Sequence, residues 1–248
     1  MDTTCFIEVV RREGGGLLSA AERAGLEAPV PTCPGWTVRE LVHHQGNVHR
    51  WATGFVRQGY GGPLPIPGET VPDGELYDWF EAGHRGLVEA LSEAGEELDC
   101  WTFLRGSPSP RHFWARRQAH ETTVHRVDAE LAGRVTLGEV DRAVAVDGIE
   151  ELLCGFHGRG RSRVRSTVPR SLRVRPVDSP RSSWTLRLSP EVPAVVTGDP
   201  VGPADCELSG EASALYLALW NRVPVEQAAR IEGDASLVDL WRANSAIV

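Results

Sequence analysis

Apolar residues recur at helical spacing through the first part of the chain. Phe6, Val9, Val10, Leu17 and Leu18 predict a helix over 4–25, with Gly14-Gly15-Gly16 as a weak point at its centre. Pro31 and Pro34-Gly35 mark a turn. Thr37 followed by Glu40 forms a capping box, in which each side chain satisfies a backbone N–H of a first helical turn. Leu41, Val48, Trp51 and Phe55 then trace the inward stripe of a second helix. A loop rich in Pro and Gly is expected over 59–74. A third helix follows from Leu76, Phe80, Leu87 and Leu91, a fourth is expected over 112–131 and a fifth over 139–156.

Beyond Phe156 the texture changes. Residues 157–183 are studded with arginine and broken by Pro and Gly. They read as a solvated linker with an exposed strand in preference to an anion-binding arm. Short strands are expected at 184–188, 192–197 and 205–208, and helices at 212–221 and 235–243. The fold class expected is therefore α+β: a helical bundle over 1–157 joined to a small α+β domain over 158–248.

Composition narrows the function. A chain of 248 residues with 41% apolar content can bury a core, and no apolar run approaches the length of a membrane helix. The start, Met1-Asp2, lacks a basic segment, so no secretory signal is expected. A net charge of −8 argues against a nucleic-acid partner. All 26 basic residues are arginine, which excludes lysine-based Schiff-base or general-base chemistry. Five cysteines form no C-x-x-C pair, a pattern that suits reduced thiols in a cytoplasmic protein better than a disulfide framework.

The candidate chemistry lies in Ala119-His120-Glu121-Thr122-Thr123-Val124-His125-Arg126-Val127-Asp128. Glu121 and His125 are four apart, so on a helix they sit about 40° apart around the axis, one turn above the other. Two such residues can share a metal ion; equally, a Glu four residues before a His is a common surface pair. The spacing is not that of zincins, because His120 and His125 are five apart. Among His43, His44 and His49 on the second helix, His44 falls on the inward stripe and His43 lies off it. His44, Glu121 and His125 would make a site of two imidazoles and one carboxylate with an open position, suited to Zn²⁺, Fe²⁺, Co²⁺ or Ni²⁺. Asp128 can orient a ligand histidine or face solvent; His49 reads as structural in preference to a proton shuttle, and Cys33 as buried.

The segment Pro31-Thr32-Cys33-Pro34-Gly35-Trp36-Thr37-Val38-Arg39-Glu40-Leu41-Val42-His43-His44, with His49-Arg50-Trp51 after it, resembles the N-terminal signature of the mycothiol-dependent maleylpyruvate isomerase family. So does His120 to Glu130. Gly210 to Arg222 is similar to that family's C-terminal domain. The family belongs to the DinB-like superfamily of actinobacterial thiol-dependent enzymes, so the resemblance implies a DinB-like four-helix bundle. It also implies zinc ligands at His44, Glu121 and His125, mycothiol as thiol cosubstrate, a small electrophilic substrate, and Arg222 as a catalytic arginine near the metal. A helix-terminal role for Arg222 is the competing reading.

The expected chemistry is control of a thiol's proton. A free thiol is mostly protonated at neutral pH, and coordination to a metal removes that proton. Attack of the thiolate on an electrophilic carbon gives S-transfer if the adduct persists, or cis–trans isomerisation if rotation and expulsion follow. Two alternatives stand beside it. One is a hydrolase using a metal-activated water; the other is a non-catalytic, metal-stabilised protein that binds a small ligand.

Overall fold

Helix α1 (Thr3–Ala24) begins where the Asp2 side chain accepts a hydrogen bond from the Cys5 N–H, and it runs unbroken through the three glycines. Gly14 faces α3 (Leu76–Glu93), and a Cβ there would overlap the His84 ring, whose Nε2 lies 2.9 Å from the Val10 carbonyl. The glycine that weakens the helix thus permits a close helix–helix approach. Helix α2 (Val38–Gln58) starts with the Thr37/Glu40 capping box and ends at Gly59, in left-handed geometry with φ 64°. Helix α4 (Pro110–Ala132) is capped by Ser109 and carries Pro110 in its first turn.

These are the four rods of the expected bundle. Helix α1 packs on α3 and α4, and α2 packs on α3 and α4. Leu17, Ala20, Ala21, Leu41, Val42, Leu76 and Phe80 fill its centre. Helix α4 is unusual: its buried residues include Arg117, Gln118, His120, Thr122, Thr123, His125, Arg126, Asp128 and Glu130. Buried polar groups are costly unless paired, so a core helix of this composition is the natural place to look for a site.

The structure, a computed structural model, describes residues 1–198 and 202–247. The chain divides between Gly138 and Glu139 into two compact units. The fifth helix, α5 (Arg142–Glu150), and the π-helical turn over Glu151–His157 therefore fold with the second unit, where α5 packs on α6 (Ala212–Leu219).

The second unit is built on a five-stranded sheet: β1 (Arg170–Pro176), β2 (Trp184–Leu188), β3 (Ala194–Thr197), β4 (Cys206–Gly210) and β5 (Arg230–Gly233), in the order β3-β2-β1-β4-β5. Strands β1 and β4 pair parallel and the other neighbours antiparallel. The arginine-rich stretch was expected to be solvated, with an exposed strand. It instead contributes the central strand. Leu172 and Val174 are buried on one face of β1, while Arg173 and Arg175 pair with Glu207 on the other. Helix α7 (Val225–Ala228) and β5 are four residues each, too short to leave a periodic signal. Helix α8 (Ser236–Asn244) follows β5. No helix among the described residues is long and apolar enough to cross a membrane.

Candidate metal centre

His44 stands on α2, and Glu121 and His125 stand on successive turns of α4. One Glu121 oxygen, Oε1, lies 3.6 Å from His44 Nε2 and 3.4 Å from His125 Nε2. One donor atom from each of the three residues lies within 4.8 Å of the others. Ligands about 2.0–2.1 Å from a tetrahedral ion stand about 3.3 Å from one another. The observed separations are long for direct hydrogen bonds and close to that tetrahedral edge. The donor set, two imidazole nitrogens and a carboxylate oxygen, fits Zn²⁺ or a similar divalent cation with a further position open.

Electrostatics agree with the geometry. Burial opposes charge on Glu121, but the adjoining His125 and His44 imidazoles and the Arg117 guanidinium outweigh it and hold the carboxyl well below its ordinary range. Burial likewise opposes charge on His125, and Asp128 and Glu121 overcome it, raising the imidazole to about 9. Glu121 and Asp128 thus favour a positive charge at the His125 imidazole.

Asp128 explains how His125 is oriented. Its Oδ2 accepts from His125 Nδ1 at 2.9 Å, which leaves Nε2 facing His44 and Glu121. Asp128 is fully buried and also accepts from the Thr32 hydroxyl and, at 3.5 Å, from the Cys33 thiol. The loop carrying Thr32 and Cys33 is itself fixed by turn hydrogen bonds from Cys33 N to Val30 O and from Trp36 N to Cys33 O, with Gly35 at φ 86°. The local Pro-x-Cys-Pro-Gly sequence therefore buttresses Asp128, and through it the candidate ligand His125. Cys33, His125 and Asp128 form a second cluster with metal-ligand spacing. That cluster lies on the Nδ1 side of His125, and one imidazole serves two cations only after losing both ring protons. We assign it to orienting the ligand.

The other residues singled out in the sequence fall as follows. His43 lies off the stripe, with its Nε2 against the Glu69 carbonyl and its ring 5.7 Å from Trp79. His49 is fully buried, 3.0 Å from the Thr122 hydroxyl and 2.8 Å from Gln45, and burial lowers its pKa well below the ordinary value. It is a core histidine. Arg126 joins α1 to α4 by pairing with Glu13 and Glu130. Arg222 lies in the second unit just beyond α6. Its backbone N–H donates to the Leu217 carbonyl at 2.8 Å and its guanidinium to the Trp220 carbonyl at 2.7 Å.

Three residues at the site were given no role of their own in the sequence reading. Trp36 lays its ring 4.9 Å from His44 and 6.3 Å from His125, forming an aromatic wall. Thr32 and Arg117 complete the surroundings of the ligands.

Residues 8–130 match the family described as the mycothiol maleylpyruvate isomerase N-terminal domain, and residues 143–240 match the C-terminal domain of the same enzyme family. The chain belongs to this isomerase family. Two solved structures share the fold of this family member, those of the mycothiol-dependent maleylpyruvate isomerase and of a histidine-to-alanine mutant of it. Their TM-scores are 0.65 and 0.66 at 14% identity, covering 94% of this chain and 93% of each of theirs. No curated protein matches the chain.

Proposed function

We propose that this protein is a mycothiol-dependent isomerase of maleylpyruvate or a closely related unsaturated keto acid, using a divalent cation, with zinc the best fit, held by His44, Glu121 and His125. The observation that carries this is the convergence of two imidazoles and one carboxylate from α2 and α4, with donor separations of 3.4 and 3.6 Å. Family membership supplies the thiol and the substrate class.

When bound, such a cation supplies Lewis-acid stabilisation of a thiolate at neutral pH. The protein's own groups set the stage. Asp128 keeps the His125 Nδ1 proton in place, so that Nε2 presents its lone pair to the site. Glu121 contributes one negative charge, which limits the net charge left on an occupied site. Trp36 covers one side of the two imidazoles with its ring. Arg222 is proposed, on the family resemblance, to bind a substrate carboxylate.

The reaction balances without a redox partner. The thiolate sulfur bonds to one carbon of the electron-poor C=C while the π electron pair moves onto the conjugated carbonyl as an enolate. The resulting single bond rotates, and return of the enolate electrons expels the same thiolate and restores the double bond in trans geometry. Persistence of the adduct instead would make the protein an S-transferase.

Purified protein is expected to convert maleylpyruvate to its trans isomer in a reaction strictly dependent on added mycothiol. His44→Ala is expected to lose stoichiometric zinc and nearly all turnover. A stable thioether adduct would redirect the assignment to transfer. Absence of any thiol-dependent reaction, with zinc bound, would remove the proposal.

A further inference from the structure

Arg117, Glu121 and His125 stand at four-residue intervals along α4, so they form one stripe on successive turns. The two oxygens of Glu121 are used differently. Oε1 lies between the His44 and His125 imidazoles, at 3.6 and 3.4 Å, while Oε2 lies 3.1 Å from an Arg117 guanidinium nitrogen. The Arg117 side chain is 3% exposed. A buried guanidinium one turn from a divalent-cation site is a like-charge liability, and its burial also carries a desolvation cost. Both are tolerable where the guanidinium is bound to the carboxylate that faces the cation.

The consequence concerns how Glu121 coordinates. A carboxylate grips a cation through one oxygen or two. An oxygen already accepting a charge-assisted hydrogen bond from arginine is a poorer second donor, and turning the carboxylate to offer it would break that bond. We propose that Arg117 is a positioning residue that holds Glu121 to a single coordinating oxygen, keeping the cation low-coordinate and its remaining position open for the thiol. This rests on the metal reading above and adds to it: the ligand set alone does not specify how many oxygens Glu121 gives.

The test uses the whole protein stripped of metal and reloaded with Co²⁺, whose visible absorption is intense at four-coordinate sites and weak at five- or six-coordinate ones. Wild type is expected to show the intense spectrum. In Arg117→Met and Arg117→Gln, Glu121 is free to turn both oxygens to the cation, so the visible intensity is expected to fall several-fold with Co²⁺ stoichiometrically bound. In zinc-loaded protein, kcat is expected to fall about ten-fold or more, with KM for the keto acid little changed. Arg117→Lys restores a cationic donor and is expected to recover part of both. Should Arg117→Met fail to fold, Arg117→Gln, which keeps more polar bulk, decides by the same criteria. An unchanged Co²⁺ spectrum in the folded variants would overturn the role of Arg117 and leave the metal site standing. Wild type that takes up no Co²⁺ would overturn the metal reading and this inference together.

Discussion

A buried carboxylate that accepts from an imidazole, a hydroxyl and a thiol is a directed support, and Asp128 is that group. Replacing it with asparagine preserves shape but removes the charge that favours a proton on His125 Nδ1, and it allows the imidazole to present the wrong nitrogen. Asp128→Asn is therefore expected to weaken zinc binding by about 10–100-fold, read by competition with a chromophoric chelator. Thr32→Val, which deletes a single donor to Asp128, should have a smaller effect. Equal affinity of Asp128→Asn and wild type would show that His125 needs no such support. The candidate ligands could be singled out in the sequence because helical periodicity separates His44 from His43 and sets Glu121 one turn from His125. Their supports could not. An Arg four residues before a Glu occurs on many solvated helices, so Arg117 is distinguished by its burial. Thr32 and Trp36 reach the site through loop geometry that no linear spacing encodes.

Elements were readable where one period dominated, and the failures have physical causes. In α1 the glycine triplet weakens helix propensity, but the three positions are not equivalent. Gly14 is buried against His84, whereas a Cβ on exposed Gly15 would meet nothing within 4 Å. Gly15→Ala is expected to stabilise the protein by roughly 0.5–1 kcal/mol through reduced unfolded-state entropy. Gly14→Ala gains the same entropy and must displace the His84 ring. A net loss of about 1–3 kcal/mol is expected. Denaturant midpoints of the pair settle it, and equal shifts would refute the close approach of α3 to α1. Helix α1 formed as expected; the burial of strand β1 was the misreading. Its Leu172 and Val174 do alternate with Ser171, Arg173 and Arg175, but three arginines in seven residues resemble a solvated segment. Glu207 on the neighbouring strand neutralises two of them, a compensation 32 or more positions away in sequence.

Across the whole molecule, protonation should shape stability from both sides of pH 6.5. His157 closes the turn after α5, with Nδ1 3.0 Å from the Ser162 hydroxyl and its ring 4.8 Å from Trp241. Burial lowers its pKa from 6.5 to about 4, with the Ser245 backbone acting in the opposite sense. As pH falls through that window the unfolded chain gains a proton that the folded one refuses. Stability should drop by roughly 3 kcal/mol and then level off for this group. His84 and His49, also lowered by burial, act in the same direction. His125 acts in reverse. Its pKa is raised from 6.5 to about 9, so its contribution is complete below 6.5 and is lost as pH climbs toward 9. Chelator-stripped protein should therefore show a denaturation midpoint that declines on both sides of neutrality. Zinc held at Nε2 replaces the proton that His125 would otherwise carry there, so the loaded protein should keep its acid limb and lose its alkaline one. In His157→Asn the acid limb should become shallower while the alkaline response to zinc persists. Stripped protein with a flat midpoint between pH 6.5 and 9 would show that Glu121 and Asp128 do not favour a cation between them, and with that the electrostatic argument for the metal centre would fail.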